Sequence, residues 1–324
     1  MWIVTGATGF IGSAMVWELN ERGVNNLLLV DHVEPLKRGD LLHKRKYTDF
    51  VLADELKGYL GDPTQAGAIE GVIHMGACST TTETDEAYLE RNNVEYSKTL
   101  WQFCAKRKKP YIYASSAATY GDGAKGFSDA TDSREFKPLN LYGWSKLKFD
   151  VWAMEQTAAP PRWHGLRFFN VYGPNEYHKG EQASVVYKAY RQIQETGKLK
   201  LFKSHDPKYR DGEQLRDFVY VKDITRWMWE LMQKSPIESG VYNMGFGKAR
   251  TWLDLANATF KSMGKNPQID WIEIPANIRN QYQYFTEAKM NRALSAGLSR
   301  PEWPLERGVA DYVDSYLSKP DPYL

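Results

Sequence analysis

The chain is poor in cysteine. Cys78 and Cys104 are its only two in 324 residues, too few for a disulfide framework and without the spacing of zinc ligands. A reduced, cytoplasmic setting is the expectation, with no metal site. Long apolar runs are missing too. None approaches the roughly 20 residues that a membrane span needs, and the opening Trp2-Ile3-Val4 reads as a strand rather than a signal peptide. Nor does charge of one sign dominate. Forty-two basic and 40 acidic residues leave a net charge of +2, which excludes attraction to nucleic acid or a membrane surface by bulk electrostatics. No internal repeat, low-complexity tract or linker rich in Pro, Gly or Ser divides the chain. What is present is a globular composition, 42% hydrophobic and 25% charged, long enough for more than one small domain. Aromatics, at 14%, suit stacking on rings or sugars as well as ordinary core packing.

Met1 to Val4 is followed by Thr5-Gly6-Ala7-Thr8-Gly9-Phe10-Ile11-Gly12 and then a helical pattern through Ala14, Val16 and Leu19. Strand, Gly-x-x-Gly-x-x-Gly, helix is a dinucleotide-binding turn in the context it requires. The glycines admit a pyrophosphate close to the backbone, and the helix N-terminus offers it free N–H groups and partial positive charge. A second strand, Leu27 to Val30, ends at Asp31. An acid about 20 residues after the turn usually accepts the adenine ribose hydroxyls, which speaks for NAD. Lys37 and Arg38 follow and could hold a 2′-phosphate instead, or belong to a solvated loop. Between Pro35 and Asp62 the pattern supports only a short helix and a strand.

Val72-Ile73-His74-Met75-Gly76-Ala77 reads as a buried strand running into a small-residue turn. In a doubly wound sheet, ligands lie at the carboxyl ends of strands, so Met75 to Ser79 should line the cofactor crevice. Cys78 in that turn has no evident histidine partner and reads as a packed residue. Asn92 and Asn93 open an amphipathic helix that runs on through Leu100 and Phe103. An asparagine there either satisfies backbone groups of the crevice or lies on the surface. Strand Tyr111 to Ala114 ends in Ser115-Ser116, and Tyr142-x-x-x-Lys146 follows. On a helix, Tyr142 and Lys146 share one face a turn apart. A nearby ammonium is expected to pull the phenol's pKa down from about 10, making it a usable base toward a sugar hydroxyl. Ser116 would bond the substrate oxygen.

The glycine turn, the Ser116 strand end and Tyr142-x-x-x-Lys146, in this order and spacing, resemble the extended short-chain dehydrogenase/reductase superfamily, mostly enzymes acting on nucleotide sugars. Five stretches narrow the resemblance to the ADP-L-glycero-D-manno-heptose 6-epimerase family: Gly76 to Glu83, Tyr113 to Gly121, Phe168 to Pro174, His178-Lys179-Gly180 and Tyr282-Gln283-x-Phe285-Thr286. The similarity runs nearly end to end, and Gly-Ala-Cys-Ser and His-Lys-Gly are its family-specific part. It implies an α/β fold. A Rossmann-type doubly wound parallel sheet would occupy residues 1–169, with returns near 218–243 and 284–293. A smaller α/β substrate-binding domain would occupy 170–324, mainly 170–217, 244–283 and 294–324.

The resemblance also implies tightly bound NADP, with NAD as the alternative. Its cofactor set would be Gly6, Gly9, Phe10, Ile11, Gly12, Asp31, His32, Arg38, Met75, Gly76, Ala77, Cys78, Ser79, Asn92, Tyr142, Lys146, Val171 and Lys179. Ser116, Asn170, Glu181, Lys188, Phe202, Ser204, Arg216 and Tyr282 would bind an ADP-heptose. The catalytic residues would be Ser116, Tyr142, Lys146 and Lys179. Oxidation at C6, rotation of the ketone and reduction on its other face would invert that carbon. Lys179 would serve as a second acid/base group facing Tyr142, and Lys146 would also hold the nicotinamide ribose. The product would feed lipopolysaccharide core heptose, and the protein would be a homo-oligomer, with a pentamer as one form.

Departures from the family pattern lie in the second half. The connection His205 to Gln214 is longer than the family's, Lys188 stands where a histidine is usual, and Glu181 stands where a serine is. Arg216 occupies the place of an arginine that grips a diphosphate, for which a bidentate guanidinium is suited. The plain alternative is a surface salt bridge with Asp217. Helices are expected at Ser184 to Ile193, Trp252 to Met263 and Leu305 to Leu317, and a strand at Leu199 to Phe202. Three rival readings stand beside this one. A 4,6-dehydratase would need an Asp-Glu pair where Ala117 and Ala118 stand. A UDP-hexose 4-epimerase has no special need of Lys179. A non-catalytic dinucleotide sensor has no need of Ser116, Tyr142 and Lys146 together.

Overall fold

The computed structural model describes residues 1–233, 237–279 and 282–324. In chain order the strands are β1 (Trp2–Thr5), β2 (Leu27–Asp31), β3 (Asp49–Leu52), β4 (Gly71–His74), β5 (Tyr111–Ser116), β6 (Trp163–Phe168), β7 (Asn170–Tyr172), β8 (Leu199–Phe202), β9 (Leu215–Arg216), β10 (Phe218–Tyr220), β11 (Gly240–Met244), β12 (Arg250–Thr251) and β13 (Ile269–Ile272). Seven form one parallel sheet in the order β11-β6-β5-β4-β1-β2-β3. The chain is a Rossmann-type α/β protein.

Strand side chains alternate between faces, and helices cover both, so the central strands are apolar throughout. Val4, Leu29 and Ile73 face a core that contains Met15, Val16 and Leu19 of helix Phe10–Glu21 and Trp227 and Met228 of helix Val221–Met232. Their neighbours Ile3, Leu28, Val30 and Val72 face the other way, onto Leu100, Trp101 and Phe149. Strand order reverses between β1 and β4. This opens a crevice at the carboxyl ends of both strands, the usual ligand position in such sheets.

Beyond Phe169 the chain returns β11 to this sheet and otherwise forms small ones. β7 pairs with β10 and β8 with β13, both parallel, and β9 pairs antiparallel with β12. Helices Val185–Thr196, Trp252–Ser262 and Leu305–Tyr312 close a second core through Val186, Tyr190, Leu255, Val309 and Tyr312. Each of the first two helices starts at a hydroxyl cap. Ser184 accepts from the Tyr187 N–H, and Thr251 forms a capping box with Asp254.

Several elements differ from the sequence expectations. The single helix expected from Asn92 is helix Glu86–Leu89, a π-helical stretch Glu90–Glu95 and helix Tyr96–Arg107. The widened turn accompanies Asn93, whose side chain turns away to bond Cys78 and Ser145. The last helix likewise stops at Tyr312 and continues as a π turn, Val313–Leu317. Pro35 to Asp62 holds a 3₁₀ helix Pro35–Leu42, then β3, then helix Leu56–Gly61. Of the 218–243 return, β11 joins the main sheet, whereas β10 pairs outside it with β7.

Candidate active site

The crevice is a cavity of about 1150 Å³, and every residue expected to hold the cofactor lines it. Its floor is the glycine turn. Gly6 has φ +66°, and a Cβ there would lie 2.6 Å from the Gly76 nitrogen. At Gly12 a Cβ would lie 2.0 Å from the Gly6 carbonyl oxygen. Only glycines let the turn, the first helix and the β4 loop meet this closely. Asp31 holds the turn in place: one carboxylate oxygen accepts the Thr8 N–H at 3.0 Å, and the other accepts the His32 N–H at 2.7 Å. Arg38 lines the same cavity, and its buried Nε has no hydrogen bond among the described residues. Lys37 instead pairs with Glu34 at 2.9 Å in the solvated loop. The opposite rim, Met75 to Ser79, is braced by Asn93, which accepts the Cys78 N–H at 2.9 Å and donates to the Cys78 carbonyl at 3.0 Å. Asn92, which also lines the cavity, donates to the Tyr88 carbonyl at 2.8 Å. A cradle that any Cβ would fill, above a helix N-terminus, and an unpaired guanidinium nitrogen together fit a dinucleotide phosphate group.

Helix Leu141–Glu155, capped by Asn140, presents Tyr142 and Lys146 to the crevice, and β5 ends at Ser116 beside them. The expected lowering of the tyrosine's pKa is not found. Burial pushes the Tyr142 phenol up, and a hydrogen bond with Ser116 opposes this only in part. Lys146 is buried and points its ammonium at the Ala114 carbonyl, 2.9 Å away. Burial lowers its own pKa to about 8, against the pull of Asp150. Helical spacing places the two residues on one face, but the long lysine stem carries its charge down to the strand end rather than to the phenol.

Lys179 sits in the loop after β7, within the turn Tyr177–Gln182. Its ammonium stands 5.2 Å from the centre of the Phe10 ring and has no hydrogen bond or ion pair among the described residues. Burial lowers its pKa, Glu176 opposes that, and Lys188 adds to it. His178 beside it is held neutral, its pKa lowered to about 4 by burial and then by Arg38 and Lys179.

The residues expected at the substrate divide into two groups. Ser116, Asn170 and Glu181 line the crevice. Lys188 does not; its ammonium binds the Glu181 carbonyl and carboxylate. Phe202, Ser204, Arg216 and Tyr282 lie beyond it in an aromatic cluster. Arg216 is buried between Trp252 and Tyr282, 5.7 and 5.1 Å from their ring centres, and donates to the Leu215 and Gln283 carbonyls. A salt bridge with Asp217 is ruled out, because that carboxylate accepts the N–H groups of Phe246, Gly247 and Ala288. Phe202 meets Tyr282 edge-on at 6.2 Å. Trp252 lines the crevice and bonds the Tyr282 hydroxyl at 3.0 Å, linking the two regions. Ser204 is spent on its own loop, with its hydroxyl on the Asp206 carbonyl and its N–H on Asp211. The long connection is folded: Tyr209 stacks on Tyr284 at 5.4 Å, and Gly212 accepts the Leu253 N–H. Sequence reasoning missed Trp252 and Glu176; of the two alternatives it left for the asparagines, Asn93 takes the first and satisfies backbone groups of the crevice. Trp252 acts through a contact with a distant segment, Tyr282, and Glu176 through a loop whose closure no local pattern encodes.

Residues 2–245 match the NAD dependent epimerase/dehydratase family, and the chain belongs to it. It is an epimerase, an isomerase-class enzyme, and its cofactor is a nicotinamide dinucleotide. Over the full length of both chains it is 49% identical to the ADP-L-glycero-D-manno-heptose-6-epimerase of Fusobacterium nucleatum subsp. nucleatum. The crystal structure of the Helicobacter pylori ADP-L-glycero-D-manno-heptose-6-epimerase superposes with a TM-score of 0.79 at 26% identity, over 97% of this chain and 95% of that one. MoeE5 in complex with UDP-glucuronic acid and NAD gives a TM-score of 0.76 at 25% identity, over 95% and 96%. No helix among the described residues is long and apolar enough to cross a membrane.

Proposed function

We propose that the chain interconverts ADP-D-glycero-D-manno-heptose and its L-glycero epimer at C6, with NADP as resident cofactor, supplying heptose for lipopolysaccharide core. One observation carries the reading. Tyr142 and Lys179, two unlike proton-transfer groups from separate elements, both line the cavity that contains the glycine cradle. C6 carries no proton acidified by a neighbouring carbonyl, so direct deprotonation is out of reach. A bound NADP supplies reversible hydride acceptance at that carbon. The chain's residues then handle the proton. Tyr142 exchanges it with the C6 hydroxyl for one epimer and Lys179 for the other, because inversion moves the hydroxyl to the other face. Ser116 bonds the reacting oxygen, and Lys146 holds the ribose side of the site. Arg38 supports NADP over NAD, since its guanidinium side chain lines the cavity, where a 2′-phosphate has use for a cation. Arg216, with no carboxylate partner among the described residues, suits the substrate diphosphate. Segments up to Phe169 serve the dinucleotide and the later small sheets the nucleotide sugar, assembled as a homo-oligomer in the cytoplasm.

Turnover of ADP-heptose by Tyr142→Phe and Lys179→Ala tests this assignment. Each variant is expected to lose turnover by about 10²- to 10⁴-fold. Full turnover in Lys179→Ala would overturn the two-base reading and favour a 4-epimerase type of site.

A further inference from the structure

Lys179 is carried by a loop with an unusual backbone. Gly173, Asn175 and Gly180 have φ of +144°, +78° and +54°. Asn175 is not a glycine, and such a conformation persists only when the surroundings hold it. Its side chain is tied down, donating to Ser13 Oγ at 3.1 Å and accepting the Leu324 N–H at 3.0 Å. The stronger clasp is Glu176, which has no solvent exposure. One of its oxygens accepts the Gly173 N–H at 3.3 Å and the Ser184 hydroxyl at 2.6 Å, and the other accepts the Ser184 N–H at 2.5 Å. A single carboxylate therefore joins the first residue of the loop to its last, which is also the cap of helix Val185–Thr196. Asp or Glu at a helix N-terminus is further favoured by the helix dipole. The Glu176 carbonyl accepts the Lys179 N–H at 3.0 Å, which fixes the lysine one turn from the carboxylate.

We propose that Glu176 is a positioning residue for Lys179: its buried carboxylate closes the loop that aims the lysine and supplies the negative charge that steadies the ammonium. This rests on the acid/base reading of Lys179. Glu176 is fully buried and Lys179 partly so, which makes the coupling count, since charges shielded from water act at longer range. The directions agree. Glu176 opposes the lowering of the Lys179 pKa, and Lys179 opposes the raising of the Glu176 pKa. Other groups face the pair. Lys188 acts on Lys179 from helix Val185–Thr196, Phe10 and His178 flank it, and Tyr177 and Tyr312 feel the carboxylate. Lys188 is itself bound to Glu181.

The test is the pH dependence of kcat in wild type, Glu176→Gln, Glu176→Asp and Lys179→Ala. Glu176→Gln keeps the size and loses the charge. The ammonium then loses support, so the lysine limb should move to lower pH by about one unit, and kcat should fall about tenfold. Glu176→Asp keeps the charge and shortens the clasp, so kcat should fall with the limb unmoved. Bound dinucleotide should be unchanged in both. A purely structural role would lower kcat in Glu176→Gln without moving the limb, and that result overturns the proposal when Lys179→Ala is inactive. If Lys179→Ala keeps turnover, the lysine reading itself fails, and the proposal with it. Should Glu176→Gln not fold, Ser184→Ala removes one donor and keeps the charge. A lower kcat with an unmoved limb is then expected, and an unchanged kcat overturns the clasp.

Discussion

At the scale of single residues, the site depends on charges placed where water is scarce. Lys146 is the clearest case. Taking an ammonium out of water costs enough that its pKa falls to about 8, and among the described residues only the Ala114 carbonyl bonds it directly. Arg38 is the complementary case, a guanidinium with a buried nitrogen left unpaired. Such a group is costly until a ligand oxygen meets it. Arg38→Ala should therefore weaken NADP binding by about tenfold to a hundredfold, the loss of one charge-assisted hydrogen bond, and leave NAD binding unchanged. Titration of the stripped protein with each dinucleotide checks this; equal losses for both would remove Arg38 from 2′-phosphate recognition. The glycine turn, Ser116, Tyr142 and Lys146 were legible in the sequence because each is a short local pattern. The sense of the tyrosine's pKa was not, because it depends on burial and on where the lysine stem leads. Glu176 was equally hidden, since its partners Gly173 and Ser184 mean nothing until the loop closes.

At the scale of elements, helix Leu141–Glu155 has to present Tyr142 without drifting. Asp150, two turns along from Tyr142, anchors it. With no solvent exposure, it accepts from Tyr113 and Ser115 of β5 and pairs with Arg167 of β6 at 2.9 Å. The Arg167 guanidinium also donates to Tyr120 and Ser133. Breaking a buried pair leaves the other charge uncompensated. Asp150→Ala should cost about 3–5 kcal/mol in urea denaturation and lower turnover with it. A loss below about 1 kcal/mol, the range of surface pairs, would show that the helix is held by packing alone. Apolar runs announced β1, β2, β4 and β5, because strands buried on both faces read as continuous hydrophobic stretches. Pro35 to Asp62 did not announce itself. Its elements are short, β3 is an edge strand, and Arg38 and Gly39 kink the 3₁₀ helix. The π turns were illegible for a different reason: the widening at Glu90–Glu95 accompanies the Cys78 and Ser145 contacts of Asn93, which come from other parts of the chain.

At the scale of the whole molecule, function comes from a junction. The parallel sheet brings a dinucleotide cradle and a Ser/Tyr/Lys group to one crevice. The chain beyond Phe169 brings Lys179 over the first helix, and Trp252 connects that crevice to the aromatic cluster around Arg216. The order of these motifs was readable from sequence. The displacement of Arg216 and Tyr282 from the crevice was not, because it follows from how β9, β12 and the folded His205 to Gln214 connection pack together. The central claim is that this junction inverts one carbon with no net redox change. The most direct measurement is to incubate the purified protein with ADP-D-glycero-D-manno-heptose, adding no cofactor, and to follow the C6 configuration by NMR. Conversion to a mixture of the two C6 epimers, with dinucleotide neither added nor consumed, is the predicted result. Unchanged substrate, even after NADP or NAD is supplied, would contradict the claim.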